Sequence, residues 1–88
     1  MDKIKIEMFY TFTCPNCRTF KNMMNDILPQ FSDKFVFKKS LANSPLGFIR
    51  TAKLGIHSVP TILIDGEIVW REVPAKQKLI NKLKMYEK

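Results

Sequence analysis

The chain of 88 residues carries fifteen Lys plus Arg against eight Asp plus Glu, a net charge of +7, and is 45% hydrophobic with only two Cys. That apolar content suits one core and the length is too short for two, so a single domain over residues 1–88 is expected. Two cysteines are too few for a secreted disulfide framework or a four-ligand zinc site, and no apolar run matches a signal-peptide core or a membrane span.

Residues 3 to 9, Lys-Ile-Lys-Ile-Glu-Met-Phe, place Ile4, Ile6 and Met8 on one face at the period of a strand. Pro15 suits the first position of a helix, with Cys14 as its N-cap. The apolar stripe Phe20, Met23, Met24, Ile27, Leu28 and Phe31 continues that helix until Pro29 disrupts it. Phe35-Val36-Phe37-Lys38, bounded by Ser32-Asp33 and by Ser40 to Ser44, reads as a second strand. Ser44-Pro45 caps a second helix through Leu46, Phe48, Ile49, Ala52 and Leu54, weakened by Gly47 and stopped by Gly55. Thr61 to Ile64 and Glu67 to Trp70 flank Asp65-Gly66, which supplies the positive φ angles of a type I′ hairpin turn. After Pro74, the spacing of Leu79, Ile80, Leu83 and Tyr86 predicts a third helix.

The element order β-α-β-α-β-β-α predicts an α/β fold. The first two strands are parallel through a right-handed crossover, the hairpin is antiparallel in the same sheet, and helices cover both faces. The charge surplus divides into +3 over residues 1–44 and +4 over residues 45–88, so it forms no basic arm. Lys76, Lys78, Lys82, Lys84 and Lys88 fall on the polar side of the last helix. The surplus reads as a solvated surface, with at most a secondary role in choosing acidic partners and with neither nucleic acid nor membrane as partner.

The cysteines remain to be explained. Closing the Cys14–Cys17 loop stabilises a fold by only about 2 kcal/mol in the chain-entropy model, which makes the pair a poor staple. At a strand-to-helix junction, the free amides of Asn16 and Cys17 and the helix dipole favour a Cys14 thiolate. Arg18 and Lys21 push the same way, since no carboxylate occurs between Glu7 and Asp26. Cys17, one turn in, is expected to be more buried. An exposed attacking thiolate beside a second, resolving thiol is what dithiol exchange needs: Cys14 attacks and Cys17 resolves. The spacing also occurs in zinc and iron sites, so a metal- or iron-sulfur-binding protein sharing Cys pairs across a dimer is the alternative from another class.

With these residues in view, the sequence resembles the thioredoxin superfamily, most closely its small glutaredoxin-like thioredoxins. The resemblance is carried by the first strand before Cys14-Pro15-Asn16-Cys17, by Gly55-Ile56-His57-Ser58-Val59-Pro60-Thr61, by Ile64-Asp65-Gly66-Glu67 and by Val73-Pro74. It implies a thioredoxin fold with a four-stranded mixed sheet in the order 2-1-3-4. The Val59–Pro60 bond is then cis, Thr13, Ser58, Val59 and Pro60 meet the substrate, and Pro15, Asn16, Arg18 and Lys21 support the cysteine pair. The implied activity is reduction of protein disulfides by a cytoplasmic monomer. Its only redox group is the Cys14–Cys17 disulfide, its partners are disulfide-containing proteins, and its electron donor is of the thioredoxin-reductase type or another kind.

Three departures qualify the resemblance. Met8 stands where larger thioredoxins carry a buried Asp, so deprotonation of Cys17 is expected to rely on water or on the departing thiolate. Glu7 points to the other face by strand alternation, where an exposed or edge-packed carboxylate is expected. Arg71-Glu72-Val73 replaces the Gly-Gly and Asp typical of glutathione-using glutaredoxins, which leaves the glutathione-dependent alternative less favoured. Of the remaining residues, His57 is expected to be an exposed loop histidine. One of Tyr10 and Phe12 is expected in the core, and Trp70 is expected to pack under the third helix.

Overall fold

A computed structural model describes residues 3–31 and 34–86. The expected turn at Ser32-Asp33 and Lys88 of the last helix lie outside the described residues. The elements are β1 (Ile4–Tyr10), α1 (Pro15–Ile27), β2 (Phe35–Leu41), α2 (Pro45–Leu54), β3 (Thr61–Ile64), β4 (Glu67–Trp70) and α3 (Lys76–Tyr86). The sheet order is β2-β1-β3-β4, with β1 parallel to β2 and antiparallel to β3. This is the expected topology, and it places the central strand β1 so that its C-terminal end feeds the cysteine helix.

Strand alternation divides the core. Ile6 and Met8 of β1 and Ile62 and Ile64 of β3 pack against Phe20, Met24 and Ile27 of α1 and Leu79 and Leu83 of α3. Trp70 packs against this same cluster, in keeping with its expected place under the last helix. On the opposite face, Phe9 and Leu63 pack with Ile56 and Leu54 at the end of α2. Aromatic contacts tie the crossover to the sheet: Phe20 lies 6.0 Å from Phe37, and Phe31 meets Phe35 edge-on at 5.6 Å.

Turn chemistry follows the sequence. Asp65 and Gly66 have φ of 55° and 85°, the left-handed values that the hairpin requires. Gly55 ends α2 at φ 70°, where its N–H reaches the Ala52 and Thr51 carbonyls. Ser44 accepts a hydrogen bond from the Gly47 amide at 3.0 Å, capping α2 as expected. Pro29 lies in a single 3-10 turn, Leu28–Gln30, that ends the helical run after α1.

Three expectations are corrected. The second strand does not stop at Lys38: parallel pairing with β1 continues through Met8↔Lys39 to Tyr10↔Leu41, so backbone pairing carries the strand past two lysines. Glu7 is neither exposed nor edge-packed. It is 3% exposed on the central strand, held by Arg50 Nη1 at 2.6 Å and Nη2 at 3.0 Å and by the Ser40 hydroxyl. Nor is Gly47 simply a weak point of its helix. It is one of the two buried residues of α2, and a Cβ there would overlap the Leu41 carbonyl oxygen, so the helix approaches the end of β2 only because that Cβ is missing.

Candidate active site

The chain leaves β1 at Tyr10, turns through Thr11 to Thr13 and enters α1 with Cys14 as the N-cap residue in an extended conformation. Proline at the first helical position fixes the backbone without losing a helical hydrogen bond. Cys14 and Cys17 are joined as a disulfide with their Cα atoms 5.3 Å apart. The Cys17 amide donates to Cys14 Sγ at 3.1 Å, so one free donor of the helix start is aimed at that sulfur, as the helix position predicts. The structure gives no matching bond from Asn16. Cys17 is 3% exposed and belongs to the main core, whereas Cys14 is only half-buried. The two sulfurs are therefore unequal in access.

Opposite this helix start lies the loop before β3. The Val59–Pro60 peptide bond is cis, in line with what the resemblance implies. The Phe9↔Thr61 register sets Pro60 at the C-terminal end of β1, the end from which the cysteine loop departs. Thr61, fully buried, donates its hydroxyl to the Ser58 carbonyl at 2.7 Å and thereby closes the loop on itself. Val59 packs against both cores, making contact with the cluster that includes Cys17.

One cleft borders the disulfide, and a second meets it at Thr11. The first, about 260 Å³, is lined by both cysteines, Arg18, Lys21 and Lys39 over a floor that includes Met8 and Tyr10. The second, about 220 Å³, runs past Phe48, Ile56, Ser58 and Val59, with exposed His57 on its rim. Of the residues singled out from the sequence, Arg18 and Lys21 border the first cleft and Ser58 and Val59 the second. Pro60 is buried beside Val59. Pro15, Asn16 and Thr13 are exposed and border neither cleft. Tyr10 is the more buried of the two aromatics, and Phe12, 75% exposed, meets it edge-on at 6.0 Å.

Sequence reasoning missed Lys39. Had the second strand been extended by three residues, its alternation would have put Phe35, Phe37 and Lys39 on one face, beside Met8 in the parallel register. The Glu7–Arg50 pair was missed as well. It lies on the α2 side of the sheet, with the Arg50 guanidinium 4.9 Å above the Phe9 ring, and lines neither of the two clefts.

A strand-to-helix disulfide facing a cis-proline loop in a 2-1-3-4 sheet is the arrangement of a thiol-disulfide exchange protein. A family model described as a thioredoxin domain matches residues 3–84, and the chain belongs to that family. The protein is a dithiol-disulfide oxidoreductase. It is 28% identical over 85 residues to a thioredoxin of Methanocaldococcus jannaschii, the match covering 96% of each chain. Among solved structures, one titled "Structure of a malarial protein" shares the fold with a TM-score of 0.78 at 15% identity, over 96% of this chain and 97% of that one.

Proposed function

We propose that the protein reduces disulfides in other proteins, with Cys14 as the attacking nucleophile and Cys17 as the resolving thiol. The observation that carries this reading is the inequality of the two sulfurs. Cys14 is reachable and receives the Cys17 amide at 3.1 Å, while Cys17 is sealed in the core. In the reduced protein the Cys14 thiolate attacks one sulfur of the target disulfide. A mixed disulfide forms and the first target sulfur departs as a thiolate. Cys17 then loses its proton to that thiolate or to water, since apolar Met8 stands where an acid would help, and attacks Cys14 Sγ. The second target thiolate leaves and the Cys14–Cys17 disulfide closes, two electrons having passed to the target.

Ser58 and Val59 lie where an extended target segment meets the loop before β3, and Thr13 borders the approach. A flavoprotein reductase of the thioredoxin-reductase type, or another dithiol donor, recharges the pair in a reducing, cytoplasmic compartment. Glutathione is disfavoured as donor by the exposed carboxylate of Glu72 beside the hairpin and by the engagement of Arg71 with the Gly55 carbonyl at 3.1 Å.

Insulin reduction driven by dithiothreitol tests the assignment. Cys14→Ser is expected to abolish turnover, and Cys17→Ser to accumulate a mixed disulfide with the target. An unchanged rate in both variants overturns the roles. With glutathione as the only reductant, the disulfide is expected to remain oxidised.

A further inference from the structure

The first cleft has a charge pattern that thiol exchange does not require. Arg18 and Lys21 reach it from α1 and Lys39 from β2, so three cations from two elements border one 260 Å³ space that also contains both sulfurs. Among the described residues, no carboxylate lines it. Among the described residues none of the three is in an ion pair, the Glu7–Arg50 bridge lying on the other face of the sheet. The described acids are placed elsewhere. Asp65 and Glu67 belong to the hairpin, whose Asp65 amide bonds the Lys5 carbonyl near the opposite end of β1, Asp26 is two turns beyond Arg18 on α1, and exposed Glu72 follows β4, on the sheet edge opposite β2 and outside the cleft lining. Beneath the cations, Met8, Tyr10 and Phe12 give the cleft an apolar floor and wall.

We propose that this cleft selects target disulfides carrying Asp or Glu within one or two residues of the attacked cysteine, with an acidic protein segment as occupant. The inference rests on the dithiol-exchange reading above. Three unpaired cations converging on a partly enclosed space attract a carboxylate more strongly than three dispersed on an open surface, and such a field acts mainly on the rate of encounter. The apolar floor accommodates the stem of a Glu or a neighbouring apolar side chain. Because the cleft lies on the β2 side of the disulfide, away from Val59, it reads the flank of the target that the loop before β3 does not.

The test uses the reduced full chain in single turnover against three peptides that differ only in having Glu, Gln or Lys on both sides of one intermolecular disulfide. At low salt the Glu peptide is expected to react about tenfold faster than the Lys peptide, and the ratio to shrink in about 0.5 M salt. Lys39→Glu is expected to bring the ratio close to one or invert it. Lys53→Glu, an equal charge change on exposed α2 surface, is expected to preserve it. Equal rates for all three peptides overturn the acidic subsite while leaving the oxidoreductase reading intact. Equal effects of Lys39→Glu and Lys53→Glu also overturn it, since net charge would then suffice. If no peptide oxidises the protein, the exchange reading itself fails and the subsite falls with it.

Discussion

Glu7 shows how much one side chain on a central strand can depend on distant residues. Burial alone would push its carboxyl up, but hydrogen bonds from Arg50 and Ser40 and the charges of Arg50 and Lys38 outweigh that and hold it below the ordinary carboxylate range. Its partner is held above the usual arginine value by the hydrogen bond to Glu7. A carboxyl whose folded value is depressed adds stability that is present above its unfolded value of 4.5 and is lost as the pH falls through the folded value. Glu7→Gln is therefore expected to cost about 1 to 3 kcal/mol at pH 7 by breaking a buried charged network. The gap from the parent is expected to narrow below pH 4.5, as measured by urea unfolding. A gap of equal size at pH 7 and pH 3 would show that the lost packing, and not the charge, explains the effect. Strand alternation revealed that Glu7 faces away from Ile6 and Met8. It contained nothing about Arg50, which lies 43 residues further along the chain.

At the scale of elements, α2 departs furthest from the face its apolar residues suggest. Leu46, Phe48 and Ile49 are 69%, 67% and 55% exposed, while Gly47 and Thr51 are buried. The rotation is set by the sheet beneath: Arg50 must reach Glu7, and the first turn must sit against the Leu41 carbonyl, where only glycine fits. Gly47→Ala is consequently expected to destabilise the protein by about 1 to 3 kcal/mol or more, although alanine is the better helix former. Thermal unfolding of the variant checks this, and a rise in Tm would show that α2 does not need the close approach. The hairpin turn, by contrast, was legible, because the left-handed requirement at Asp65 and Gly66 is met by two adjacent residues, whereas the register shift between Ile62 and Leu63 further along the pair was not. Lys39 stayed hidden because its role depends on strand pairing between β1 and β2, and charged residues at 38 and 39 look like a strand's end.

For the whole molecule, the disulfide is expected to act as a working group on a core that includes Cys17 but does not need the crosslink. Phe20, Met24, Ile27, Leu79 and Leu83 are fully buried around the sheet, and the crosslink closes a loop only three residues in separation. Reduction is expected to lower stability by no more than about 2 kcal/mol in the chain-entropy model, a drop of roughly 10 °C in Tm at this chain length. Circular dichroism with and without reductant checks it, and collapse of the fold on reduction would mean that the cysteines act as a staple. No helix among the described residues is long and apolar enough to cross a membrane, consistent with the surface charge and hydropathy pattern of the chain.

The amino-acid sequence by itself determined the element order, the parallel crossover, the hairpin turn and the cysteine pair at a helix start. Each of these follows from neighbours along the chain or from a local period of apolar residues. The tertiary structure decided what depends on residues distant in sequence: the burial and pairing of Glu7, the rotation of α2 about Gly47, the full length of β2 and the meeting of Arg18, Lys21 and Lys39 beside the sulfurs. Such contacts are fixed by how the sheet registers and how helices settle on it, and local propensity carries no record of either. The +7 charge marks the difference most clearly. As composition it described a solvated surface with at most a secondary role in choosing acidic partners, and folding gathers three of its cations beside the cysteine pair.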